Sequence, residues 1–195
     1  MARPAVLPAR REVVSFPSEQ LILVDEQDHE LGRLPKDKCH DGDGILHRAF
    51  SLFIFDGQGR LLLQQRSAQK RLWPLFWSNS CCSHPRHGES MDEAVHRRLQ
   101  QELGISSDLR FLFKFIYQAR YGDHGSEHEL CWVYLGRSND PVAPNRNEVA
   151  DWRFVDIAEI DCDLNANAPA YTPWMKLEWE RIRSEFGHLL PVSSA

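Results

Sequence analysis

Apolar and polar positions follow one another in short blocks along this chain. Residues 21–24 are an apolar run, residues 25–28 a polar turn, and residues 31–34 a second run, which predicts a hairpin. Runs at 49–55 and 61–65 are joined by Asp56-Gly57-Gln58-Gly59, a second hairpin signal. Runs at 109–119 and 127–135 form a third pair around Gly122 and Gly125, and 148–155 is a further strand. Helical periodicity appears twice. Ser90 with Glu93 three residues on is a capping box, Ala94, Val95, Leu99 and Leu103 form the apolar stripe, and Gly104 supplies the stop. Thr172 ahead of Pro173 opens a second helix, populated by Trp174, Leu177, Ile182 and Phe186. Many strands with one central and one late helix indicate an α+β fold rather than an alternating parallel one.

Composition narrows this. A chain of 195 residues, 42% hydrophobic and 26% charged, suits one globular domain with short extensions. We place the domain at residues 20–186, with a flexible N-terminal arm at 1–19 and a C-terminal tail at 187–195. The net charge of −5 argues against a nucleic-acid partner. The longest apolar stretch, 49–55, is far too short to cross a membrane. Five cysteines, an odd number without regular spacing, point to a reducing, cytoplasmic setting. The first ten residues contain no continuous apolar segment and do not form a secretory signal.

The chemistry concentrates in a few positions. His40, His47 and His84 fall in loops or at strand edges. Glu127 and Glu129 lie two apart on an expected strand, so both share a face and His128 takes the other. Two carboxylates side by side repel unless solvated or bridged by a cation. Three imidazoles and two carboxylates make a mixed nitrogen and oxygen set suited to Zn²⁺, Mn²⁺ or Mg²⁺. Cys82 and His84 have the same i, i+2 spacing and project together if extended, with Cys81 opposite. Lys36, Arg66, Lys70 and Arg98 form a basic set, and Arg98 shares a helix face with Glu102. Cations beside a carboxylate-held metal are what a diphosphate requires, though Arg98 and Glu102 also fit a plain i, i+4 surface pair.

Residues 71–85, which contain Asn79-Ser80-Cys81-Cys82-Ser83-His84-Pro85, resemble the signature stretch of type I isopentenyl-diphosphate isomerases. So do Gly88-Glu89-Ser90, Glu127-His128-Glu129 and Tyr171-Thr172-Pro173-Trp174-Met175, in the family's order. The resemblance covers residues 20–186. It implies a single-domain, Nudix-like mixed-sheet sandwich with flanking helices, and an isomerase interconverting isopentenyl and dimethylallyl diphosphate. The Nudix hydrolase pattern G-x5-E-x7-R-E-U-x-E-E-x-G-U, laid over residues 83–105, is degenerate. Ser83 replaces the first Gly, Arg98 the Glu after the Arg, and Gln101 the first Glu of the pair, while Glu89, Arg97, Glu102, Gly104 and Ile105 match. Hydrolytic water activation has therefore lost two of its three clustered glutamates.

By this resemblance, Cys82 and Glu129 are the acid and base on opposite sides of an allylic unit, and a tertiary carbocation is the intermediate. Tyr117 hydrogen-bonds the carboxylate, and the indole of Trp174 shields the cation. His40, His47, His84, Glu127 and Glu129 hold one divalent ion. Glu102 helps hold a Mg²⁺ that arrives with the diphosphate, and Lys36, Arg66, Lys70 and Arg98 neutralise its oxygens. The expected partner is a small prenyl diphosphate. Two rivals remain open: a Nudix-type diphosphate hydrolase, and a non-catalytic, metal-stabilised binding module.

Overall fold

In a computed structural model, residues 10–191 are described. The strands are β1 (Gln20–Val24), β2 (Glu30–Pro35), β3 (His47–Phe55), β4 (Leu61–Arg66), β5 (Trp77–Ser78), β6 (Cys81–Ser83), β7 (Asp108–Arg120), β8 (Ser126–Arg137) and β9 (Val149–Val155). The helices are α1 (Lys36–Cys39), α2 (Met91–Leu103), α3 (Ile157–Ala166) and α4 (Pro173–Glu185). All strands join one mixed sheet, and β3 is its spine. Along one edge β3 meets β1, β6 and β4 in turn, all antiparallel; along the other it runs parallel to β8 from His47↔Glu129 to Phe55↔Arg137. Such a strand is covered on both faces, which explains the uninterrupted apolar run at 49–55.

Alternation along β3 divides the core. Ala49, Phe53 and Phe55 pack on one face with α4 residues Trp174, Met175, Trp179 and Ile182. Phe50, Leu52 and Ile54 pack on the other with the α2 stripe Ala94, Val95, Leu99 and Leu103. His47 and Ser51 share parity with Ala49 and Phe53, so the polar interruptions of β3 lie beneath α4. Parity on β8 agrees, with Glu127, Glu129 and Cys131 on that same face.

The first and third expected hairpins form, as β1–β2 and β7–β8. The second does not extend. Its turn exists, but only Phe55↔Leu61 pair across it, after which β4 pairs with β9 and β5. Parallel pairing with β8 and the insertion of β6 divert β3 from β4. Both expected helices are present. Ser90 and Glu93 make the reciprocal capping box, and Gly104 ends α2 at φ +68°. Helices α1 and α3 were not foreseen, since α1 is a single turn and α3 buries only Ile160.

The ends differ from a free arm and tail where they are described. Residues 10–19 run against the domain: Arg146 N donates to Arg10 O at 2.8 Å, and Asn145 Nδ2 to Glu12 O at 2.8 Å. At the other end Leu190 is buried against the α4 face. The expectations for residues 1–9 and 192–195 lie outside the described residues. Among the described residues no helix is long and apolar enough to cross a membrane, and all five cysteines are free thiols.

Candidate active site

Strand register assembles the first cluster. His47 pairs with Glu129 across β3 and β8, and His84, just past β6, comes alongside. His40 follows α1, and its carbonyl accepts from Ser126 N at 3.1 Å, which brings it beside Glu127. That approach requires a glycine before Ser126. Gly125 has φ +132°, and a Cβ there would lie 2.1 Å from His40 O. One atom from each of His40, His47, His84, Glu127 and Glu129 lies within 4.8 Å of all the others.

Backbone carbonyls fix the ring orientations. His40 Nδ1 donates to Lys36 O at 2.6 Å and His47 Nδ1 to Ile45 O at 2.7 Å, so each Nε2 faces the centre of the cluster. His40 Nε2 lies 2.8 Å from Glu127 Oε2, His84 Nε2 lies 2.8 Å from Glu129 Oε1, and His47 Nε2 is 3.8 Å from the same Glu129 oxygen. Buried His47 Nε2 and Glu127 Oε2 have no hydrogen-bond donor. Burial, with repulsion from His40, pushes His47 down to about 3. Burial, then His47, also holds His84 well below its ordinary value. Two imidazoles that burial keeps neutral, His47 and His84, join His40 and two carboxylates aimed at one point, and the buried His47 Nε2 lone pair is unmet; this set fits a divalent cation.

The second cluster surrounds Cys82. Its thiol donates to Asn79 Oδ1 at 2.7 Å, whose amide is oriented by Nδ2 donating to Leu52 O and Cys81 O. Trp174 Nε1 donates to Cys82 Sγ at 3.1 Å, and the hydroxyls of Ser51 and Ser78 lie 3.6 Å from it. Burial, then Glu178, pushes the thiol up to about 12, so it holds its proton. Cys81 instead packs against α2.

Cys82, Glu129, Tyr117 and Trp174 line one cavity of about 330 Å³. Tyr117 donates to Glu129 Oε2 at 2.6 Å. Burial, and then the neighbouring Glu127 charge, holds the Glu129 carboxyl well above its ordinary range. For Glu127 burial acts upward, but His40, Arg66 and His47 outweigh it and hold that carboxyl down. Trp174 is 2% exposed, and the Arg66 guanidinium lies 5.1 Å over its ring. Arg66 also donates to Leu72 O and Trp73 O, tying down a loop in which Trp73 and Leu75 have φ +46° and +64°. One face of the expected cation-shielding ring therefore already carries a cation.

Lys36, Arg66, Lys70 and Arg98 all line this cavity. Arg98 is 2% exposed, which excludes the surface-pair reading. Its guanidinium bonds Glu102 and lies 3.2 Å from Glu148. Lys70 also bonds Glu148. Glu102 departs from the expectation. It is 1% exposed and absent from the cavity wall, and its oxygens accept from Arg98 and from Gln64. It therefore lies behind the Arg98 guanidinium, one residue back from the wall. The wall carboxylate beside Lys70 and Arg98 is Glu148, which sequence reasoning missed. Burial acts to raise it, but Lys70 and Arg98 outweigh this and bring it to about 2.

Ser51, Asn79 and Ser78 were also missed as partners of the thiol, although Asn79 stands in the signature stretch. Behind them Cys131 lies 3.5 Å from Ser51 Oγ and 3.4 Å from Glu178 Oε1. Glu178 is fully buried, and burial pushes its carboxyl up to about 8. Only its helical position, hidden within the polar-looking Lys176-Leu177-Glu178, could have flagged it.

Comparison with known proteins identifies what the chain is similar to. The NUDIX domain family matches residues 45–176. The chain is 42% identical over 166 residues to isopentenyl-diphosphate Delta-isomerase 1 of Photorhabdus laumondii, covering 84% of this chain and 94% of that protein. It is 44% identical over 164 residues to isopentenyl-diphosphate Delta-isomerase 1 of Aromatoleum aromaticum, covering 84% and 92%. A Deinococcus radiodurans protein of known structure superposes with a TM-score of 0.69 at 22% identity, covering 84% of this chain and 98% of that one. A MutT protein from Methanosarcina mazei superposes with a TM-score of 0.60 at 17% identity, covering 72% and 95%. These two similarities concern the fold.

Proposed function

This chain belongs to the isopentenyl-diphosphate Delta-isomerase family built on the NUDIX domain, and from that membership we propose that it interconverts isopentenyl and dimethylallyl diphosphate. The observation that carries the reading is a single cavity. Cys82 and Glu129 line it together with Lys36, Lys70 and Arg98. A five-carbon chain lies between thiol and carboxyl while the cations hold its diphosphate.

Moving the double bond requires a proton added at one end of the allylic unit and another removed from the far side. Cys82 and Glu129 perform these steps, and which one donates depends on direction. Cys82 holds its proton on Sγ, aimed at Asn79 Oδ1, and the Trp174 N–H faces the sulfur wherever negative charge develops on it. Tyr117 donates to Glu129 Oε2 and fixes the direction in which its other oxygen works. The walls exclude water from the tertiary carbocation, with Trp174 offering the ring face that Arg66 leaves free. A divalent ion at His40, His47, His84, Glu127 and Glu129, whether Mn²⁺, Zn²⁺ or Mg²⁺, supplies positive charge that lowers the proton affinity of Glu129. A Mg²⁺ accompanying the diphosphate would add positive charge at its oxygens, and Glu102, bonded to Arg98 behind the wall, would reach it on releasing that bond. Five free thiols fit a reducing cytoplasm.

Proton NMR of isopentenyl diphosphate in D₂O with enzyme and Mg²⁺ tests the proposal. Dimethylallyl diphosphate carrying deuterium is the expected product. Phosphate release without isomerisation would establish a hydrolase instead. A metal-loaded protein that does neither, and unfolds on chelation, would be a binding module.

A further inference from the structure

Residues 11–19, part of the stretch 1–19 expected to be a flexible arm, contribute to the wall of the cavity. Val13, Ser15, Phe16 and Pro17 line it together with Lys36, Lys70 and Arg98. The segment is tethered on both sides. On one side Asn145 Nδ2 donates to Glu12 O at 2.8 Å, and Asn147 Nδ2 to Arg11 O at 2.8 Å. On the other, Arg86 clamps Glu19. Between these tethers Arg98 donates NH1 to Val14 O at 3.0 Å, and the Val14 side chain is 7% exposed. A guanidinium expected at the diphosphate is thus fixed in part by the backbone of this segment.

Ser15 stands at the centre of the span. Its hydroxyl oxygen accepts from Lys36 Nζ at 2.7 Å, while its own hydrogen reaches Glu19 Oε2 only at 3.4 Å. That donor is poorly used where it stands, beside cations suited to an anion. A phosphate oxygen at ordinary hydrogen-bond distance would use that donor fully.

We propose that Ser15 is a diphosphate-binding residue, and that residues 11–18 are a fixed wall closing the polar end of the cavity against diphosphates esterified at both ends. The inference rests on the isomerase reading for the identity of the substrate. Its basis is the meeting of Ser15, Lys36 and Arg98 with the wall segment at one end of the cavity. The hydroxyl contributes equally to ground-state and transition-state binding, because it touches the diphosphate and not the reacting carbons.

The test compares wild type with Ser15→Ala in the full-length, metal-loaded protein. The expected result is a KM for isopentenyl diphosphate raised about ten-fold at nearly constant kcat. The dissociation constant of inorganic pyrophosphate, measured by calorimetry, should rise in parallel. Inhibition by isopentenol, which lacks the diphosphate, should not change. An unchanged pyrophosphate affinity overturns the proposal. So does equal weakening of pyrophosphate and isopentenol, which marks a general loosening of the wall. ADP-ribose that competes with pyrophosphate in the wild type overturns the closed end. If the wild type does not isomerise isopentenyl diphosphate at all, the isomerase reading falls, and the pyrophosphate measurement alone still decides the role of Ser15.

Discussion

The indole N–H of Trp174 is shared between the sulfur of Cys82 and the hydroxyl oxygen of Ser78, each 3.1 Å away. A residue expected to act through its ring face therefore also acts through its edge. Trp174→Phe keeps an aromatic ring in place and removes the donor. Losing a hydrogen bond to a sulfur that becomes charged during reaction should lower kcat by about ten-fold or more with little change in KM. Steady-state kinetics checks this. An unaltered kcat would leave the ring face as the residue's contribution.

Cys82→Ala should abolish turnover and leave the fold in place. Alanine fills most of the thiol's volume, and Asn79 keeps its other bonds, to Leu52 O and Cys81 O. An isomerisation assay beside a thermal melt separates the two effects. Full activity in the variant would remove the thiol from the mechanism.

Glu129→Gln should impair both metal retention and proton transfer, because one carboxylate meets His84, His47 and Tyr117 at once. Metal content and rate, measured on the same preparation, should fall together. A normal value for both would refute the assignment.

Chelation should lower the melting temperature as well as the activity. Without a cation, Glu127 and Glu129 lie buried among lone pairs, and Glu127 Oε2 lacks a donor. Calorimetric melts before and after chelation, then after adding back Mn²⁺, Zn²⁺ or Mg²⁺ singly, measure the loss and which ion reverses it.

Glu178 gives a pH dependence with a defined sign. Burial raises its carboxyl from 4.5 to about 8 in the fold. Below pH 4.5 both folded and unfolded chains carry the proton, and the group contributes nothing. Between pH 4.5 and 8 the unfolded chain ionises while the fold stays protonated, so stability falls with rising pH, by at most about 1.4 kcal/mol per unit. Glu178→Gln removes that dependence. Urea unfolding at pH 5.5 and 7.5 should show the wild type losing stability relative to the variant, and equal pH slopes would contradict the shift.

Much of the site was legible because it depends on local periodicity. Two-residue spacing set Glu127 with Glu129 and Cys82 with His84, and the structure keeps both pairs on the cavity wall. The capping box at Ser90 and the stop at Gly104 likewise fixed α2 from short-range hydrogen bonding. Pairing between distant strands was not legible. The apolar run at 49–55 fits a hairpin strand and a doubly covered central strand equally well, and only parallel pairing with β8 decides between them.

By itself, the amino-acid order determined which residues share a face, where α2 and α4 begin, and which side chains can carry this chemistry. Those properties follow from backbone repeat and side-chain type, which act over a few residues. Tertiary structure alone decided that Arg98 covers Glu102, that Glu148 stands on the wall, that Trp174 faces a thiol, and that Ser15 reaches Lys36. Each of these joins segments through burial and loop closure, and no local pattern records which distant partner a buried charge will meet.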